Sequence, residues 1–114
     1  MVTLDLNHLK KIVGDDPDFL RQVLQIFITN SPKDLEELSK FANEGDHEKV
    51  AFFAHRLKSA AAAIGFDEAY EAFKEIELES KKMEALDNLP VKVNAMKLYC
   101  EQCITDIESV MKSL

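Results

Sequence analysis

The sequence contains no tryptophan and, among 114 residues, only three glycines, three prolines and two cysteines. So little Gly and Pro excludes collagen-like and low-complexity chains, and leaves few points at which a helix would be interrupted. Two cysteines, Cys100 and Cys103, cannot build the disulfide framework of a small secreted domain; their presence fits a reducing compartment, and a cytoplasmic protein is expected. No run approaches the ~18 apolar residues that cross a bilayer. The N-terminal stretch MVTLDLNHLKKIVGDD has no basic segment followed by an apolar one, so neither a membrane anchor nor a signal peptide is expected. An excess of positive charge is missing too: 14 Lys and Arg against 21 Asp and Glu leave a formal net charge of −7. That field repels a phosphate backbone and argues against nucleic acid as a partner.

What is present is a helix-rich composition, 46% hydrophobic and 31% charged, at a length that suits one domain over residues 1–114. Strand-like alternation is almost missing, while 3–4 spacing of apolar residues recurs throughout. A short first helix is predicted over LDLNHLKKIV, ending at Gly14, with Asp16 capping the next and Pro17 at its first position. From Pro17 to about Asn43 the apolar stripe is Phe19, Leu20, Val23, Leu24, Phe27, Ile28, Leu35, Leu38 and Phe41, with Pro32 expected to kink or break the helix. Asp46 caps a third helix through Val50, Phe53, Leu57 and Ile64 to a stop at Gly65. Asp67 opens a fourth with Ala69, Tyr70, Phe73, Ile76 and Met83 at apolar or small positions. After EALDNLP a last helix carries Val93, Met96, Cys100, Cys103, Ile107, Val110 and Leu114, a seam of mean spacing 3.5. The predicted fold is all-α, an antiparallel up-and-down four-helix bundle with a short additional N-terminal helix over one end.

The third helix carries an unusual outer face. Advancing about 100° per residue places Val50, Phe53, Ala54, Leu57, Ala61 and Ile64 in one arc and turns His55 away from it. Around His55 stand Ala51, Phe52, Lys58, Ser59, Ala62 and Ala63, short side chains for the most part, where an ordinary solvent face would carry long charged ones. A flat, weakly polar surface centred on a reactive group marks an interaction site. An exposed neutral imidazole is a competent nucleophile at cellular pH without an activating base. Lys58, one turn on, projects from the same side and can offer positive charge to a phosphoryl group.

The stretch HRLKSAAAAIGFDEAYEAFKEIE resembles the signature of histidine-containing phosphotransfer (HPt) domains: H-x-L-K followed by two small residues, a helix-ending Gly and, downstream, an apolar residue with Glu or Gln. The positions that match are His55, Leu57, Lys58, Gly65 and the pair Ile76–Glu77, and NEGDHEKVAFFAH resembles the family's lead-in. The resemblance implies that His55 is the phosphoacceptor, through Nε2. It implies further that Lys58 contacts the phosphoryl group or the partner, that Glu77 hydrogen-bonds the other ring nitrogen, and that Lys81 occupies a position that can be basic. Ala51, Phe52, Ser59, Ala62 and Ala63 would form the docking surface. Three positions depart from the pattern: Ser59 stands where the family usually has Gly, Ala60 where it has Ser, and Phe66 where Ala is common.

The function so implied is a phosphorelay carrier, not an enzyme in its own right. It would take a phosphoryl group from a receiver-domain aspartate or a kinase and pass it to another receiver domain. The implied partners are response-regulator receiver domains and a hybrid sensor histidine kinase, with Mg²⁺ supplied by the receiver; no cofactor or metal of its own is expected. A monomer is expected, and a start at Met1 without a linker-like stretch is what a stand-alone carrier would show. Two other readings remain open on the residues alone. One is a helical adaptor that binds a partner through the Ala and Phe52 surface, His55 being incidental. The other is a redox or metal protein built on Cys100 and Cys103, although a single C-x-x-C on an apolar seam is also what two small core residues look like.

Overall fold

A computed structural model describes residues 5–83 and 86–114 of the chain. Leu4, placed in the first helix by the sequence pattern, and Glu84 and Ala85 of the last connection lie outside the described residues. Five α-helices run in order: α1 (Leu6–Val13), α2 (Pro17–Glu44), α3 (His47–Ala63), α4 (Asp67–Lys82) and α5 (Leu89–Ser113), the last preceded by a single 3₁₀ turn at Leu86–Asn88. The described residues contain no strand. Asp16 and Asp46 start helices as the sequence predicts, and Asp5, read as lying inside the first helix, caps it instead: the side chains of Asp5, Asp16 and Asp46 accept from the backbone N–H of His8, Asp18 and Lys49 at 3.0, 3.0 and 3.2 Å. Each satisfies a donor that the first turn would otherwise leave orphaned.

The long helices form a bundle of 42 × 22 × 20 Å. α3 packs against α2 and α4, and α5 packs against the same two from the far side, so α3 and α5 stand on opposite corners. The core is a continuous cluster that includes Leu20, Leu24, Leu35 and Leu38 of α2, Val50, Ala54, Leu57 and Ala61 of α3, Phe73 and Ile76 of α4, and Val93, Cys100, Cys103 and Ile107 of α5. The apolar seam predicted for the last helix is therefore its inner face, with Met96, Val110 and Leu114 packed against the cluster's edge.

Three expectations need correction. Of the kink or break expected at Pro32, the break does not occur: α2 continues to Glu44. Proline deprives one carbonyl of its donor, yet Phe27 and Leu35, one on each side of it, are both buried in the core; tertiary packing holds the helix together across the defect. Phe19 is no core residue, being 46% exposed. Met83, read as a possible core position, instead ends α4 in the left-handed conformation with its side chain exposed.

Gly65 is required twice over at the end of α3. Its φ is +76°, and a Cβ there would lie 2.6 Å from Cδ2 of His8. The left-handed residue lets the Phe66 N–H reach back to the Ala61 carbonyl at 3.0 Å, which closes the helix end. The same bare backbone gives α1 its seat, so the short helix covers the end of the bundle at the α3–α4 turn. The His8 ring also approaches Asp67 at 3.5 Å, and Leu9 is fully buried beneath it.

Candidate functional site

His55 lies on the third turn of α3, facing away from the core, with 59% of its side chain exposed. Its Nδ1 is 3.0 Å from Oε2 of Glu77 on the antiparallel neighbour α4. Glu77 is itself buried, with 6% of its side chain exposed. A buried carboxylate is tolerated only when it is paired, and here two lysines from different helices meet it. Lys58 Nζ lies 2.8 Å from Oε1, and Lys81 Nζ lies 3.0 Å from Oε2. Burial alone would raise the Glu77 carboxyl. The hydrogen bonds and positive charges of Lys58 and Lys81 outweigh it and hold the group down at about 2, so Glu77 is ionised throughout the physiological range.

An ionised carboxylate can only accept a hydrogen bond. The Nδ1 of a neutral His55 must then carry the proton and donate it to Glu77, which leaves the lone pair on Nε2. With Nδ1 turned to Glu77, Nε2 is the ring's other nitrogen and belongs to its free side. Two ammonium groups against one carboxylate also leave the surroundings one unit positive, which favours an approaching phosphoryl group.

The four residues marked by sequence as acceptor and environment, His55, Lys58, Glu77 and Lys81, are thus one connected cluster across α3 and α4. Lys58 is less accessible than its place on the helix implies, with 21% of its side chain exposed, because it reaches sideways to Glu77. Of the five residues expected to form the docking surface, Phe52, Ser59, Ala62 and Ala63 are exposed. Ala51 is not: it is 7% exposed and cannot belong to that surface. At 100° per residue Ala51 falls within about 20° of Lys58, on the flank turned towards α4. The extensive α3–α4 packing widens the buried arc to include it.

The structure adds a second wall that the sequence pattern did not indicate. Beside His55 a groove of about 470 Å³ runs between α2 and α3, with Val23, Ile26 and Asn30 on one side and Ser59, Ala60 and Ala63 on the other. Ile26 is 61% exposed. It is an apolar residue of α2 that the predicted stripe leaves out, and that misfit was the available signal. One border of the groove is fixed by Arg56, whose Nε donates to Asp34 Oδ2 at 3.1 Å while its guanidinium lies 5.8 Å from the centre of the Phe52 ring.

Cys100 and Cys103 are free thiols inside the bundle, 1% and 0% exposed. Burial, with negative neighbours, pushes both thiols up to about 12, far from the thiolate that redox or metal chemistry needs. Among the described residues no group of three or more His, Cys, Asp or Glu is placed to hold a metal ion, and no helix is long and apolar enough to cross a membrane.

A helical bundle that presents one imidazole with its tautomer fixed from behind, beside a weakly polar groove, has the architecture of a group carrier. Comparison with known proteins gives that architecture its family: the Hpt domain model matches residues 22–109, and the chain belongs to the Hpt domain family. It is also similar to the phosphorelay intermediate protein YPD1 of Candida albicans, 24% identical over 99 residues, a match covering 87% of this chain and 48% of that protein. The chain thus spans about half the length of the curated relative it matches. No solved structure gives a significant match.

Proposed function

We propose that the chain is a phosphorelay carrier whose acceptor atom is Nε2 of His55. The observation that carries this reading is the contact between Nδ1 and a Glu77 carboxylate held ionised by Lys58 and Lys81. In the transfer step the Nε2 lone pair attacks the phosphorus of an aspartyl phosphate on a receiver domain. The bond from phosphorus to the aspartyl oxygen breaks, and the carboxylate leaves with that electron pair. The new bond makes the ring cationic, and Glu77, already hydrogen-bonded to the Nδ1 proton, stabilises that charge. The return step to a second receiver reverses these changes.

In-line displacement demands a nucleophile fixed in position, and α3 holds His55 on a packed helix instead of a loop. Mg²⁺, which neutralises charge on the transferring oxygens, belongs to the receiver in this reading; this chain contributes the acceptor, its tautomer and the surface. Phe52, Ser59, Ala62 and Ala63 of α3, together with Val23, Ile26 and Asn30 of α2, form the docking face. Ser59 fills the position where Gly is usual and is still small enough for close approach. The partners are response-regulator receiver domains, with a hybrid sensor histidine kinase upstream, and the setting is cytoplasmic.

The test is incubation of the purified chain with a phosphorylated receiver domain and Mg²⁺. The expected product is acid-labile, base-stable phosphate on the chain, absent from His55→Gln, whose stability should change by less than about 0.5 kcal/mol because the side chain is exposed. Label that persists in a folded His55→Gln variant, or no label on the wild type from any receiver, would refute the assignment.

A further inference from the structure

Three cations stand near His55, and they are held on two different flanks. Lys58 and Lys81 lie on the α4 side and are engaged by Glu77. Arg56 is turned to the α2 side, about 100° around the helix from His55, and takes no part in that cluster. Its Nε donates to Asp34 Oδ2 at 3.1 Å, and its guanidinium lies 5.8 Å from the centre of the Phe52 ring one turn back. A long side chain on a solvent face ordinarily samples many rotamers; this one, 51% exposed, is pinned by a carboxylate and a ring. Its one hydrogen bond among the described residues leaves from Nε, so Nη1 and Nη2 donate to no protein acceptor. A guanidinium held by Nε alone presents these two nitrogens side by side, a fork that matches the two oxygens of a carboxylate.

We propose that Arg56 is a specificity-determining residue that donates bidentately to an aspartate or glutamate side chain of the receiver domain. This rests on the phosphorelay reading above. Arg56 lines the same groove as His55, Ser59 and Ala63, so a partner seated there to reach Nε2 covers it. The docking residues around it, Phe52, Ser59 and Ala63 of α3 with Val23, Ile26 and Asn30 of α2, carry no charge and discriminate mainly by shape. A guanidinium discriminates by sign. Covered without a counter-charge, it loses its water and gains nothing in return, and a receiver that sets Lys or Arg opposite it is rejected. Asp34 does not remove this demand, because it engages one nitrogen only and is itself 14% exposed. It acts as a positioning residue that aims the fork outward.

The test takes a receiver domain that phosphorylates the wild-type chain and measures its Kd by calorimetry alongside KM and kcat for transfer. Arg56→Gln keeps a donor for Asp34 but loses the charge and the fork; it should raise Kd and KM about tenfold and leave kcat within about twofold. Arg56→Lys keeps the charge without the fork and should recover only part of that loss. Both should retain the wild-type circular dichroism spectrum, the side chain being exposed. Arg56→Glu should weaken docking about 10²-fold, and one Asp→Lys or Glu→Lys change on the receiver should restore it and thereby identify the opposing carboxylate. A Kd that Arg56→Gln leaves unchanged overturns the proposal, as does a receiver on which no such change rescues Arg56→Glu. A fall in kcat at unchanged Kd overturns it too and assigns Arg56 to the transferring phosphoryl group. No label on His55 from any receiver removes the phosphorelay reading and this proposal together, whereas an unchanged Kd with His55 still labelled removes the role of Arg56 alone.

Discussion

Two helices carry the side chains that the sequence singles out for chemistry, and they treat them in opposite ways. On α3, His55 points outward, and a buried carboxylate braced by two lysines fixes which ring nitrogen is free. On α5, Cys100 and Cys103 point inward, and their surroundings keep both thiols protonated. The CEQC motif is therefore core packing, whereas the histidine is set for chemistry. Residue type alone does not separate these outcomes; the azimuth on the helix and the charges of the neighbouring helix do.

The comparison is broken most severely by closing the outward face. Ala62→Glu sets bulk and negative charge on the face of His55 that the proposed receiver would approach; phosphotransfer should fall by at least ~10²-fold while thermal unfolding is unchanged, since Ala62 is exposed. Transfer at the wild-type rate would remove this face from the interface. Next comes the brace itself. Glu77→Ala frees the ring to rotate and to take either tautomer, and a loss of about 10²-fold in transfer rate is expected from misplacement of the reacting atom. The charge-neutral Glu77→Gln, which keeps an acceptor near Nδ1, should lose less; equal losses would mean that the carboxylate charge, not the hydrogen bond, is what counts.

Acid sharpens the same point thermodynamically. The Glu77 carboxyl sits at about 2 in the fold against an ordinary 4.5, so as pH falls the unfolded chain takes up the proton first. The stabilisation is complete above about pH 4.5 and is lost as pH drops towards 2. It amounts to at most about 3 kcal/mol, reduced because the lysine heads are partly in water. Urea titrations from pH 6 to 3 should show the decline, and Glu77→Gln should show less of it. On α5 the expectations invert. Cys103→Ser should cost about 1–3 kcal/mol by burying a hydroxyl in an apolar seam and leave transfer within twofold. Both thiols should react slowly with a disulfide reagent until urea unfolds the bundle; fast labelling of the native protein would contradict their burial.

Much of this arrangement was legible in the sequence, for reasons that differ by element. The aspartate caps, the Gly65 stop and the inner seam of α5 are local or periodic features, and the structure repeats them. The outward turn of His55 followed from the arc of Val50, Ala54, Leu57 and Ala61. Glu77 came from the family resemblance and not from periodicity, because a glutamate on a helix of an acidic protein looks like solvent surface; its burial depends on lysines 19 positions upstream and four downstream in sequence. Ala51 was misread, and the break allowed at Pro32 does not occur, for one reason. Each position is decided by a neighbouring helix, α4 over Ala51 and the core beneath α2, and a single-helix projection contains no neighbour. The groove wall at Ile26 escaped because the stripe was read for what it buries and not for what it leaves out.

The central claim is that the ring of His55 is held with its proton on Nδ1 and its lone pair on Nε2. Two-bond ¹H–¹⁵N correlation spectra of the ¹⁵N-labelled chain report this directly, before and after phosphorylation. The account predicts the Nδ1–H tautomer in the neutral free protein, lost in Glu77→Ala, and a phosphorus coupling to Nε2 in the phosphorylated one. A predominant Nε2–H tautomer, or phosphate on Nδ1, would contradict it.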